Sequence, residues 1–174
     1  MMKHCFPAAT VLLLMLTGCF SSQYRDTAYF DLTPSRTAVS RTVSVAELRN
    51  LSGAGSRFQY REPTGRILAD PDNKWVLPPG ALVARALRSS LTPPKNAVAE
   101  AETQIHGELL FFESVRATRK FHLQAHFRIV RSDGKPRTLN ADIEVPLSGD
   151  GPEDVVRAAN QAVGKLAVQL AKAL

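Results

Sequence analysis

Cysteine is nearly absent: the 174-residue chain has two, Cys5 and Cys19. Both lie close to the start, so the body of the chain has no thiol to pair and no cysteine nucleophile. Its stability has to come from a core. Long apolar runs are missing too. The run Val11-Leu12-Leu13-Leu14-Met15-Leu16 falls well short of the about 20 apolar residues that a bilayer-spanning helix needs. Charge is not concentrated either. Lys and Arg number 22 against 16 Asp and Glu, a net charge of +6, and the arginines from Arg25 to Arg66 are scattered. No nucleic-acid-binding motif accompanies them. A solvated, soluble surface is the reading preferred to a face for anionic lipid.

The short apolar run is informative for what brackets it. Lys3 precedes it and Leu16-Thr17-Gly18-Cys19 follows, which is the order of a secretory leader: a basic start, an apolar core and small residues before a cut. Leu-Thr-Gly-Cys resembles the lipobox of bacterial lipoproteins. That resemblance implies cleavage between Gly18 and Cys19, loss of residues 1–18, and a diacylglycerol and an N-acyl chain such as palmitate on Cys19. Two or more chains anchor a protein stably, whereas one does so only marginally. Of the 174 residues, 156 would remain, and the loss of Lys3 would leave a net charge of +5. A chain of that length suits one domain, burying about 70% of its extended surface.

Residues 19–28 read as a lipidated tether and 29–174 as a single α+β periplasmic domain. The nine residues from Phe20 to Ala28 reach at most about 30 Å when extended. Phe20 stands where an Asp would retain a lipoprotein in the inner membrane of enteric bacteria. The chain therefore resembles lipoproteins sorted to the periplasmic face of the outer membrane.

Short strands are expected at Tyr29–Leu32, Thr42–Leu48, Phe58–Arg61 and Arg66–Ala69, with a hairpin turn at Glu62-Pro63-Thr64-Gly65. Asp70-Pro71-Asp72-Asn73 should break the pattern. Pro78-Pro79-Gly80 opens a helix with Leu82, Val83, Ala86, Leu87 and Leu91 on one face. Three long strands should then form an antiparallel meander. In the first, Ile105, Gly107, Leu109 and Phe111 share one side and His106, Glu108, Leu110 and Phe112 the other. In the second, Phe121, Leu123, Ala125, Phe127 and Ile129 point in, while His122, Gln124, His126 and Arg128 point out. The third carries Leu139, Ala141, Ile143 and Val145, after a turn at Ser132-Asp133-Gly134-Lys135. Gly151-Pro152-Glu153-Asp154 starts a last helix with an apolar stripe from Val155 to Leu174. The fold expected is α+β: a mixed or antiparallel sheet of five to six strands with two helices packed on one face.

No constellation for catalysis or metal binding emerges. His122 and His126 look like a helical metal pair, but four residues along a strand span about 13 Å, too far for one ion. There is no Gly-x-Ser-x-Gly elbow, no Gly-rich phosphate loop and no Walker lysine. The protein reads as one that is not an enzyme, with no cofactor beyond the acyl chains on Cys19.

Tyr60-Arg61, a short strand, Trp75, then Pro78-Pro79 and an amphipathic helix form an order that resembles the ABC-type transport auxiliary lipoprotein family, the PqiC/YmbA-like proteins. Tyr29-Phe30-Asp31-Leu32 with Pro34 also looks like that family's opening. The resemblance implies a non-catalytic auxiliary subunit of an intermembrane lipid transport system. Its partners would be an MCE-domain periplasmic protein and an inner-membrane permease and ATPase or a PqiA-like protein. It would serve as an outer-membrane tether or docking subunit, and a homo-oligomer stays open. Tyr60, Arg61, Trp75, Pro78 and Pro79 are candidates for partner binding or for structure. Trp75 suits an exposed anchor or a buried site where the short strands meet the first helix, and for Trp75 the buried reading is preferred. The docking surface could be the row His122, Gln124, His126 and Arg128 or an exposed sheet edge. The alternative function is a free-standing envelope lipoprotein that binds lipid or another hydrophobic ligand in a sheet–helix pocket, which Leu110 and Phe112 could line.

Overall fold

The computed structural model describes residues 26–53, 55–93, 103–131 and 134–174. The leader, Gly18 and Cys19, most of the tether, and Ser132-Asp133 of the expected turn lie outside the described residues. In chain order the elements are β1 (Ala28–Phe30), β2 (Thr37–Ala38), β3 (Val43–Val45), β4 (Arg49–Asn50), β5 (Arg57–Arg61), β6 (Ile67–Trp75), α1 (Pro79–Ser90), β7 (Leu91–Thr92), β8 (Thr103–Val115), β9 (Lys120–Arg131), β10 (Arg137–Pro146) and α2 (Pro152–Ala173).

The long strands β8, β9 and β10 form the antiparallel meander, with Ile105 opposite Ile129 and Ala125 opposite Ala141. The other edge of β8 is shared by three short parallel strands in succession. β3 pairs at Thr103–Ile105, β4 at Glu108–Leu109 and β5 at Ser114–Val115. β6 returns antiparallel to β5, and β1 lies parallel to β6 at the far side. The mixed sheet has eight strands, ordered β1-β6-β5-β8-β9-β10 with β3 and β4 on β8, and β2 and β7 form a separate pair. It is larger than five to six because the expected strand Thr42–Leu48 leaves the ladder after Val45 and the chain rejoins β8 at Arg49.

Two local irregularities alter what the alternation implied. Asp70-Pro71-Asp72-Asn73 does not end β6; the strand runs through to Trp75 as a bulge, where the register moves from Gln59–Ala69 to Arg57–Lys74. The Asp70 carboxylate accepts the amides of Asp72 (2.8 Å) and Asn73 (2.9 Å), which holds the extra residues in a side-chain-closed turn. In β8 the register slips at Leu110, between Leu109–Ala125 and Phe111–Gln124. One extra residue reverses every side chain beyond it. Phe112, not Phe111, therefore enters the core at 1% exposure, and Phe111 turns to the opposite face.

The core lies between the sheet and the two helices. Pro79 occupies the first turn of α1, where its missing N–H loses no intrahelical bond. Gly80 is required by contact: a Cβ there would sit 2.4 Å from the Leu48 carbonyl oxygen. Its absence lets the start of α1 press on the backbone beside β4. α2 buries Val155, Ala158, Ala159, Ala162, Val163, Leu166, Ala167 and Leu170, and the alanines let it lie close over β9 and β10. Its start is fixed by Asp154, which accepts the Gly151 amide (3.3 Å) and the Ser148 hydroxyl (2.6 Å). At its other end the Arg131 guanidinium donates to the carbonyls of Ala173 (3.2 Å) and Leu174, a cation at the negative pole of the helix. A line of rings crosses the sheet: Phe30–Phe58 at 5.2 Å, Phe58–Trp75 at 4.2 Å, Trp75–Phe112 at 5.3 Å and Phe112–Phe121 edge-on at 4.9 Å. No helix among the described residues is long and apolar enough to cross a membrane.

Candidate functional site

Both helices occupy one side of the sheet, which leaves the other side without a covering element among the described residues. Alternation assigns its side chains: Arg61 from β5, Phe111 and Glu113 from β8, His122, Gln124, His126 and Arg128 from β9, and Asn140, Asp142 and Glu144 from β10. These are not loose surface groups. Arg61 holds Glu113 with two hydrogen bonds, Nε to Oε1 at 2.5 Å and Nη2 to Oε2 at 3.1 Å. The Glu113 side chain is only 2% exposed and that of Arg61 29%. The Arg61 guanidinium also lies 5.2 Å from the centre of the Phe111 ring, Phe111 stacks on His122 at 5.2 Å, and His122 Nε2 meets Asp142 Oδ1 at 2.8 Å. The contacts run unbroken from β5 to β10. Two-pronged Arg–carboxylate bonding and ring stacking give this face a fixed shape.

Farther along the same face is a groove of about 460 Å³ between Arg49, His106, Glu108, His126, Arg128 and Asn140. Its rim carries Arg49 and Arg128 with a single carboxylate, Glu108, which faces Arg49 at 3.5 Å. His106 and His126 do not assemble a metal site: no cluster of three or more His, Cys, Asp or Glu suited to a metal occurs among the described residues.

A second concavity, about 670 Å³, opens on the helix side at one end of the sheet. Tyr60, Asp70 and Asn73 form one wall, Ser114, Arg116 and Arg119 another, and Leu147, Asp150, Pro152 and Val155 a third, at the start of α2. The Tyr60 hydroxyl donates to Asp70 Oδ2 at 3.0 Å. Burial, and then the bond to Asp70 and its negative charge, push that hydroxyl well above the usual tyrosine range. Burial acts to raise the Asp70 carboxyl, but the bonds from the Asn73 side chain, the two backbone amides and Tyr60 together hold it below its ordinary value of 3.8. The Arg116 guanidinium lies 5.2 Å from the Tyr60 ring centre. Arg119 ends the turn between β8 and β9 with a φ of 51°, a left-handed conformation that costs a non-glycine residue about 1–2 kcal/mol. The turn is pinned by Arg116 N–H to the Arg61 carbonyl (2.9 Å) and Leu147 N–H to the Arg119 carbonyl (2.9 Å).

The residues singled out in the sequence do not converge. Tyr60 and Arg61, neighbours on β5, point to opposite sides of the sheet. Trp75 is 2% exposed within the line of rings. Pro78 precedes α1 and Pro79 begins it. Leu110 is the bulge residue and Phe112 is core, so this pair lines neither concavity. Glu113 and Asp142 are site residues that the sequence pattern does not single out. Glu113 follows four apolar residues, Leu109-Leu110-Phe111-Phe112, and only the slip at Leu110 shows which way it faces.

Comparison with known proteins bears on the fold and the family. One solved structure, of an uncharacterised protein, superposes with a TM-score of 0.63 at 13% identity over 85% of this chain and 98% of that one. A Xanthomonas campestris protein of family DUF330 gives 0.60 at 18% identity, over 82% of this chain and 92% of that one. At such identities the likeness concerns the fold. No curated protein matches the chain. Residues 55–171 match the family described as ABC-type transport auxiliary lipoprotein component, a span that holds the Arg61–Glu113 pair, the second concavity, the groove except for Arg49, and nearly all of α2.

Proposed function

The chain belongs to the family of ABC-type transport auxiliary lipoprotein components, and from that premise we propose that it is the outer-membrane docking subunit of an MCE/ABC-type intermembrane lipid transporter. In this reading Cys19 carries the acyl chains, residues 20–28 tether the domain to the periplasmic face, and the uncovered side of the sheet receives an MCE-domain protein. An inner-membrane permease and ATPase, or a PqiA-like protein, complete the system. The protein itself carries out no chemistry.

The observation that carries the reading is the uncovered face itself. Its central residues are immobilised by the Arg61–Glu113 and His122–Asp142 contacts, so a partner meets a surface that needs little ordering. Pre-organisation of this kind reduces the entropy lost on binding. A photo-crosslinking residue placed at Gln124 or His126 of the full-length protein in cells tests it. A crosslink to an MCE-domain protein is expected. Crosslinks to that partner from exposed positions on α2 alone, such as Lys165, would move the docking surface to the helix side. Mass spectrometry of the protein purified from membranes should find a diacylglycerol and an N-acyl chain on Cys19; an unmodified Cys19 would count against the lipid anchor.

A further inference from the structure

The concavity at the start of α2 combines features that suit an anionic group. Arg116 and Arg119 stand on its rim with side chains 54% and 62% exposed, so both are reachable. The first turn of a 22-residue helix, Pro152–Ala173, borders it. The positive pole of the helix lies there, equivalent to about half a charge, with Glu153 and Asp154 in the same turn. Inside the wall is a group with an unmet need. Ser114 is 1% exposed, borders the cavity, and its Oγ has no hydrogen-bond partner among the described residues. Buried hydroxyls are normally paired, and an orphan of this kind calls for a partner from outside the chain.

The carboxylates nearby have other engagements. Asp70 is bonded to Tyr60, Asn73 and two backbone amides. Asp154 is turned onto Gly151, Ser148 and Arg157. Glu62 lies 3.7 Å from Arg116 but also accepts from Arg66 at 2.8 Å, and Asp150 competes through a 3.2 Å contact with Arg119, its side chain 87% exposed. An anion with several acceptor oxygens would displace it from the guanidinium. Leu147, Val155 and the Tyr60 ring add an apolar flank, which suits a phosphate carried on an organic group.

The position of the cavity indicates which one. β1 is parallel to β6 and begins with Ala28 opposite Asn73, and Asn73 is a cavity residue. The chain that arrives from Cys19 therefore joins the fold beside the cavity mouth. We propose that this cavity receives the phosphate of a phospholipid headgroup, held by Arg116, Arg119, Ser114 Oγ and the first turn of α2. The choice of lipid as the source of the phosphate rests on the membrane anchorage proposed above; the phosphate chemistry of the cavity does not.

The test uses the full protein purified from membranes in a non-ionic detergent and a phosphate-free buffer. Binding of dihexanoyl phosphatidylethanolamine, dihexanoyl phosphatidylglycerol and inorganic phosphate is measured by calorimetry, and mass spectrometry of the same preparation reads acylation of Cys19 separately. The expected result is that at least one of the two lipids binds about tenfold or more tightly than inorganic phosphate. The double variant Arg116→Ala/Arg119→Ala should lose at least about tenfold, Ser114→Ala a few-fold, and Asp150→Asn should gain. Thermal melts confirm that each variant is folded. Failure of both lipids to bind, or binding indifferent to the two arginines, overturns the proposal. Inorganic phosphate binding as tightly as the lipids overturns the headgroup assignment. Absence of acyl chains on Cys19 with lipid binding intact would count against the anchor and leave the cavity standing.

Discussion

The two sides of the sheet are held by different physics. On the helix side the core residues of β8, β9 and β10, from Ile105 to Val145, are 0–4% exposed, and their stability comes from area removed from water, about 1.5–3 kcal/mol for each large side chain. On the other side a carboxylate is just as deeply buried, yet it is covered by a guanidinium and rings rather than by aliphatic groups. The first kind of contact tolerates substitution by another apolar group of similar volume. The second requires particular partners in particular geometry, and such contacts set shape more than stability. A single sheet thus keeps a forgiving side for its own folding and an exacting side turned outward.

Substitutions separate the two. Trp75→Ala should have the largest effect, about 4 kcal/mol of lost stability in denaturant unfolding, since it removes the middle ring of the line from Phe30 to Phe121. A loss near 1 kcal/mol would mean that the line packs loosely. Arg61→Ala should follow at about 3 kcal/mol, because it strands the Glu113 carboxylate. Adding Glu113→Leu should recover most of that loss. If the double variant is no more stable than Arg61→Ala alone, the outward side is apolar in its energetics after all.

Acid should act on neither side so much as on their shared end. The Asp70 carboxyl is held below its ordinary 3.8 in the fold, so its stabilisation is complete above that pH and is lost as pH falls through the lower folded value. In Asp70→Asn the melting temperature should decline less steeply below about pH 4 than in the parent. The smallest effect on stability belongs to Arg128→Glu on the groove rim, expected within about 0.5 kcal/mol. The same change should weaken capture of the MCE-domain partner proposed above in a pull-down. Unimpaired capture would place docking elsewhere than the groove.

How much of this was legible depended on the regularity of the backbone. β9, β10 and α2 follow period 2 and period 3.6 without a slip, and their inward sets match the pattern except that α2 also buries Ala158 and leaves Val156 half-buried. β8 does not. Its first half reads correctly as far as Leu109, and the extra residue at Leu110 exchanges the roles of Phe111 and Phe112. Four consecutive apolar residues satisfy either register, so no residue type betrays the bulge. β6 misled through chemistry: Asp-Pro-Asp-Asn has the composition of a loop, but Asp70 satisfies the local amides and the strand continues. The candidate site was legible only along β9, as His122, Gln124, His126 and Arg128. Glu113 lies beyond the slip at Leu110, and Arg61 joins from β5, whose pairing with β8 is parallel and remote in sequence, so the two could be matched only once β5 was known to lie on β8.

The three short strands that share one edge of β8 also decide the order in which the molecule can be completed. Val43 must wait for Thr103 and Tyr60 for Ser114, whereas β8, β9 and β10 close through short turns. Local hairpins form within microseconds, and pairings between remote segments are slower because a large loop must close first. In the exported lipoprotein proposed above, the amino-terminal half therefore reaches the far side of a membrane before the strand it needs, with Phe58 and Trp75 still uncovered. Pulse-labelled hydrogen exchange during refolding should find the amides of β9 and β10 protected ahead of those of β3 and β5; simultaneous protection would mean that the sheet assembles as one unit. If the order holds, the carboxy-terminal meander is the template and the earlier-made half a latecomer, and the interval between them is when this protein most needs an escort.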